Sequence, residues 1–346
     1  FAMQRILIIA PQWIGDAVMS LPLLNLIQQN FANSTIDVLC TPWVAPIYRA
    51  NPDTANVIES DFQHGTLQLG LRRATAQKIR SMNYQIAFVL PNSFKSALIP
   101  WLAKIPKRVG YRGEFRYGLI NHVLPNPSRQ SRTPMVEHYA KLLSAIQDTP
   151  IHLKNLPAPQ LRVCAQSARE ADQQLALFAN QPFYVFAPGA EYGPAKRWPT
   201  GYFAQLAQQI LENDPNSHIV ILGSQNDRAL GHEIQVQTND AKRVHNWCGQ
   251  ISLDQSIAVI AKSKCLISND SGLMHIGAAL SVSQVAIFGS SNPKHTPPLS
   301  AKAQVVWLGL SCSPCYERHC PLGHLNCLND IKPERIYAML SHSSPH

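Results

Sequence analysis

Several features that narrow the choice of function are missing from this chain of 346 residues. No apolar run approaches the roughly 18 residues that a bilayer-spanning helix needs, so any membrane association is expected to be peripheral. No block of five or six like charges occurs, which argues against a nucleic-acid-binding tail. There is no Asp-x-Asp pair, so nothing in the sequence points to a carboxylate-held metal at a diphosphate. Low-complexity tracts and internal sequence repeats are absent too, which sets aside fibrous and disordered classes.

What is present suits two globular domains. The length exceeds the usual size of one domain. At 45% hydrophobic and 15% charged residues, the chain can bury two cores. A formal charge of +9 favours acidic partners such as nucleotides, phosphorylated glycans or an anionic membrane surface. Arg5 to Ala10 is too short for a signal peptide and lacks a cleavage site, so it reads as a first strand and the protein as cytoplasmic. Phe1-Ala2 ahead of Met3 reads as an added remnant.

Strand patterns alternate with helix patterns in both halves, which implies parallel sheets covered on both faces. Ligands then bind beyond the carboxyl ends of the strands. In the first half, Gln12-Trp13-Ile14-Gly15-Asp16 follows the first strand. Asp16 either complements the positive end of its helix or is a carboxylate able to take a proton from a sugar hydroxyl. Pro91-Asn92-Ser93-Phe94-Lys95-Ser96 follows a later strand and is either an anion-binding loop or a capped helix start. The run Arg108 to Tyr117 reads as a loop interleaving arginine, glycine and aromatics, either solvated or able to fork onto phosphate and carboxylate. Met135 to Ile146 is predicted as a helix, and a proline-bearing stretch over 148–160 places the boundary between domains 1–160 and 161–330.

In the second half, the loop Pro188 to Pro199 ends in Lys196-Arg197, a cation pair suited to a diphosphate leaving group. Asp227 has equal claims as a ribose ligand and as a helix cap. The sequence centres on Ile267 to Ala279, read as a strand, an acid, a hydroxyl and a glycine, and then an apolar helix. Ser271 is expected to cap that helix. Gly272 would let an anion approach its free amides, and His275 returns to the same face one turn on. Cys40, Cys164, Cys248 and Cys265 are scattered and read as reduced thiols. Cys312-x2-Cys315-x4-Cys320-x6-Cys327 is clustered, and structural metal (zinc), free thiols and disulfides are all open readings for it.

Taken together, Gln12 to Asp16, Pro188 to Pro199 and Asn269 to His275 resemble the bacterial heptosyltransferases of glycosyltransferase family 9. Pro91 to Leu98 and Gly110 to Leu119 add to the likeness, which covers about residues 3–340. The resemblance implies an α/β fold of the GT-B class, two Rossmann-like domains facing across a cleft, with a C-terminal helix (331–346) returning to the first. It implies an ADP-L-glycero-β-D-manno-heptose donor in the second domain. The acceptor, in the first domain, is the first heptose of the lipopolysaccharide inner core on Kdo2–lipid A. Inverting transfer forms an α-1,3 linkage.

By position, Asp16 is then the general base and Lys196 neutralises the departing ADP. Gly189, Lys196, Arg197, Ser224, Asp227, Asp270, Ser271, Gly272 and His275 bind the donor. Asn92, Ser93, Lys95, Arg112 and Arg116 face the acidic acceptor. No cofactor is required, and the expected location is cytoplasmic, peripheral at the inner face of the inner membrane. Competing readings are a family 9 transferase with another heptose acceptor, a GT-B epimerase, and a non-catalytic nucleotide or glycan binding protein.

Overall fold

The computed structural model describes residues 3–128, 130, 132–147 and 151–341; the Phe1-Ala2 remnant lies outside them. The chain divides into two compact units, residues 1–161 and 162–346.

The first unit is built on a six-stranded sheet: β1 (Gln4–Ile9), β2 (Ser34–Cys40), β3 (Asn56–Glu59), β4 (Ile86–Val89), β5 (Lys107–Tyr111) and β6 (His122–Leu124). The second has β7 (Phe183–Ala187), β8 (His218–Ile221), β9 (Val244–Asn246), β10 (Cys265–Asn269), β11 (Gln284–Phe288) and β12 (Ala303–Trp307). Their orders are β3-β2-β1-β4-β5-β6 and β12-β11-β10-β7-β8-β9. Numbered from each unit's own first strand, both are the doubly wound order 3-2-1-4-5-6. The strands pair in parallel, with Ile6 opposite both Ile36 and Ile86, and Ile267 opposite both Phe186 and Val285.

Composition explains this pairing. Every position of β4, β7, β10 and β11 is buried, as expected of strands covered by helices on both faces. Edge strands are different: β6 has no buried position and β12 only one. In each sheet the chain winds one way from one central strand and the other way from its neighbour. A crevice therefore opens at the carboxyl ends of β1 and β4, and another at those of β7 and β10.

The structure departs from expectation in places. Part of the Arg108 to Tyr117 run is β5, hydrogen-bonded beside β4. The helix expected over 135–146 is α-helical over Met135–Ala140 and tightens to a 3-10 helix over Lys141–Ala145. The last helix, Pro333–Ser341, packs against Thr200–Asn213 of the second unit, with Ile336 fully buried in that unit's core.

Candidate functional site

In the second unit, Asn269 ends β10 as a fully buried side chain. Its Nδ2 donates to the Pro188 carbonyl at 2.8 Å, and its Oδ1 accepts from the Trp198 backbone N–H at 3.0 Å. One amide thus holds both ends of the loop between β7 and the helix Thr200–Asn213. Trp198 is itself buried, its indole N–H donating to the Ile331 carbonyl at 2.8 Å. Within the loop, a single 3-10 turn over Pro194–Lys196 sets the lysine. The Ala195 N–H donates to the Arg318 carbonyl, and Nζ of Lys196 lies 5.1 Å from the Tyr192 ring centre.

Lys196 Nζ donates to Asp270 Oδ2 at 2.7 Å, the lysine side chain being 18% exposed and the carboxylate 5%. Asp270 also accepts from Ser291 Oγ at 2.6 Å and from Thr296 Oγ1 at 3.5 Å. His275 is buried one turn into the helix Gly272–Ala279. Loss of solvent pushes its pKa down to about 4; Asp270 opposes that shift and Lys196 adds to it. The imidazole is therefore neutral at pH 7 and lies within electrostatic range of the ion pair.

Ser271 stands at the N-cap position of that helix, but its side chain caps nothing. This corrects the capping expectation: the buried Oγ has no hydrogen-bond partner, and Ser290 Oγ and Arg197 Nε are in the same condition. Buried polar atoms are nearly always paired. Three unpaired ones lie in the segments around Lys196 and Asp270. Arg197 otherwise donates from Nη2 to the Ala190 carbonyl.

Gly189 and Asp227 meet at the carboxyl ends of β7 and β8. A Cβ on Gly189 would fall 2.3 Å from Asp227 Oδ1, so only glycine permits the approach. Asp227 Oδ2 accepts from Ser224 N–H at 2.8 Å and Ser224 Oγ at 2.9 Å, closing a reciprocal cap. Asp227 is thus the third residue of a cap that Ser224 begins, whereas at the N-cap position of the helix Arg228–Gln237 its own side chain caps nothing.

In the first unit, Asp16 lies in the first turn of the helix Ile14–Asn30, at the carboxyl end of β1. Tyr139, a buried side chain from the helix Met135–Ala140, donates its hydroxyl to Asp16 Oδ1 at 2.8 Å. Burial, then the Asp16 charge, raise the Tyr139 pKa well above its usual value, so the phenol stays a donor. Beyond β4, Ser93 accepts from Ser96 N–H and caps the helix Phe94–Leu102. Asn92 is exposed, and Lys95 Nζ donates to the Thr66 carbonyl at 3.3 Å.

Arg112 is exposed, whereas Arg116 is only 2% exposed. Arg116 donates to the Tyr111 carbonyl at 2.7 Å and the Pro91 carbonyl at 2.6 Å. Burial lowers its pKa to about 10. Arg116, expected to face the acceptor, turns its guanidinium inward: Nε and Nη2 donate to the Tyr111 carbonyl and Nη1 to the Pro91 and Ser93 carbonyls and the Ser96 hydroxyl, which braces the loop.

Cys312, Cys315, Cys320 and Cys327, with His324, line one small cavity. All four are free thiols, and among the described residues no three His, Cys, Asp or Glu side chains stand where they could hold a metal ion. The zinc reading is corrected accordingly, because sharing a cavity wall is not tetrahedral ligation at about 2.3 Å. Among the described residues, no helix is long and apolar enough to cross a membrane.

Of the site groups, Ser291, Thr296, Asn269 and Tyr139 had no assigned role in the sequence reading. Ser291 and Thr296 lie just beyond β11, and that position at a strand's carboxyl end was the one signal available for them.

Residues 72–326 match the sequence profile of glycosyltransferase family 9 (heptosyltransferase). The chain is 38% identical to lipopolysaccharide heptosyltransferase 2 of Escherichia coli K12 over 97% of each sequence. It is 36% identical to lipooligosaccharide heptosyltransferase 2 of Haemophilus influenzae over 88% of each. Its fold superposes on the solved structure of the E. coli ADP-heptose lipopolysaccharide heptosyltransferase II with a TM-score of 0.86 and 37% identity, covering 98% of both chains. The two Rossmann-like units are those of the GT-B class.

Proposed function

Because the chain belongs to glycosyltransferase family 9 and is a heptosyltransferase, we propose that it moves heptose from ADP-L-glycero-β-D-manno-heptose to the first heptose of the lipopolysaccharide inner core. In this reading the second unit holds the donor and the first holds the acceptor. Asp16, oriented by the Tyr139 hydroxyl, takes the proton from the acceptor hydroxyl as that oxygen attacks the anomeric carbon. Attack opposite the leaving group inverts the centre. The electrons of the breaking bond leave with ADP, and the added charge falls beside Lys196.

The observation that best supports this reading is the group formed by Lys196, Asp270, Ser271 and His275 at the β7/β10 crevice. A cation 18% exposed is bonded to the carboxylate that stands two residues ahead of a helix, and the N-cap hydroxyl between them is buried without a partner. A diphosphate would draw Lys196 from Asp270, fill the bonding capacity of Ser271 and meet the Gly272 end of the helix. A neutral His275 adds a donor without a second buried charge. Lysine, amides and the helix terminus together carry the neutralisation, so the reading needs no metal. Asp227 meeting the ribose, and Asn92, Lys95 and Arg112 meeting the acidic acceptor, belong to the same proposal, as does a working position at the inner face of the inner membrane.

The test is incubation with ADP-heptose and a lipid A core bearing one heptose, read by mass spectrometry. A gain of one heptose is expected. Donor binding without any mass gain would favour a non-catalytic binding protein, and a gain only on other acceptors would move the substrate assignment within the family.

A further inference from the structure

The formal charge is divided unevenly. Residues 1–161 carry sixteen Lys and Arg against eight Asp and Glu, a formal +8, whereas residues 162–346 carry fourteen against thirteen, a formal +1. Nearly all the excess positive charge therefore belongs to the first unit. That unit also displays aromatic side chains that its own core does not use. Phe115 is 87% exposed and Tyr117 is 78% exposed, both on the loop that follows β5.

This loop is braced, not slack. Arg116, between the two aromatics, is buried and bonded to the Pro91 and Tyr111 carbonyls. The Glu114 N–H donates to the Asn92 carbonyl at 2.9 Å. Phe115 is held at a φ of +41°, where a bulky residue is strained. A conformation that strains the backbone in order to hold an aromatic ring in water gains nothing for folding. The helix that Asn92 precedes begins with Phe94, 42% exposed. The cations here are Arg112 and the buried Arg116 on the loop and Lys95 one residue beyond Phe94; Glu114 is the one acid in the loop.

We propose that the Arg112–Tyr117 loop of the first unit is a docking surface for an anionic lipid bilayer. Phe115 and Tyr117 would enter the headgroup region, with the basic first unit drawn to the acidic surface. Aromatic side chains favour that interfacial depth, and one inserted contact gains stable attachment when combined with electrostatic attraction. The inference rests on the acceptor side of the reading above, since an acceptor anchored by lipid A is met at a membrane.

The test is flotation of the full chain with vesicles of phosphatidylglycerol and phosphatidylethanolamine, and with pure phosphatidylcholine. Phe115→Ser/Tyr117→Ser is compared with the unaltered protein. The expected result is binding to the anionic vesicles only, weakened by raised salt and about tenfold weaker in the variant. Transfer to a delipidated acceptor should be unchanged in the variant, which also verifies its fold. Equal vesicle binding by variant and parent would overturn the inference, as would no binding at all. A variant that floats normally but loses transfer to the delipidated acceptor would make the loop a sugar platform and also overturn it. Flotation as expected, with no heptose transferred by either protein, would uphold the docking surface and defeat the proposed function.

Discussion

Replacing Lys196 with alanine should separate two roles that the structure superimposes. At 2.7 Å and an effective dielectric near 20, the gross attraction between Lys196 and Asp270 is about 6 kcal/mol. Most of this is offset by desolvation of a carboxylate that is 5% exposed. Removing the lysine leaves that carboxylate with Ser291 and Thr296 as donors, so the loss of stability should be about 2 kcal/mol, below the full cost of stranding a buried charge. In a unit of this size that lowers the melting temperature by about 6 °C. The catalytic effect should be larger and of a different kind. Loss of the charge that meets the departing diphosphate should cut kcat by about two to three orders of magnitude. Differential scanning calorimetry measures the first effect and initial transfer rates at saturating donor measure the second. The double variant Lys196→Ala/Asp270→Ala should recover much of the lost stability and none of the rate. A Lys196→Ala protein that melts earlier but turns over normally would refute the leaving-group role and reduce the pair to a structural tie.

Asp16→Ala is expected to lower transfer by about a thousandfold while donor affinity measured by calorimetry is kept. Tyr139→Phe, which removes only the hydroxyl on Asp16 Oδ1, should cost less. Arg116→Ala should destabilise the first unit by about 3 kcal/mol in denaturant titration, because several backbone carbonyls lose a buried partner. If the folded variant shows only a raised acceptor KM, Arg116 touches the ligand after all. His275, with a pKa lowered to about 4, binds its proton more readily once unfolded. Stability should therefore fall as pH drops from about 6.5 towards 4 and level off below, and His275→Gln should flatten part of that slope. His245, also lowered to about 4, and His218, lowered too, act in the same direction and account for the remainder.

The parts of the fold that could be read from sequence were those where burial leaves no choice of residue. Phe183–Ala187 and Cys265–Asn269 are continuous apolar or small-residue runs because helices cover both faces. The edge strands were missed for the converse reason. Asn56–Glu59 and His122–Leu124 are short and partly exposed, so their composition resembles that of loops. At the site, Asp270, Lys196 and His275 were legible because they follow strands in a glycine-bearing context. Ser291 and Thr296 were not, since a hydroxyl that reaches a carboxylate from 21 or 26 residues away leaves no local pattern. Arg116 misled for a physical reason as well. Arginine in an aromatic, glycine-rich run reads as surface, and nothing in its spacing tells that the guanidinium folds back onto carbonyls.

The hydrogen bonds of the Asn269 side chain go to Pro188, Gly189 and Trp198. Its amide works as a clasp with one donating and one accepting side. Aspartate, alike in shape, would turn a lone pair towards the Pro188 oxygen and open the clasp. The position of the cation at 196 is thus inherited from a neutral group sealed inside the sheet, one that takes part in none of the chemistry.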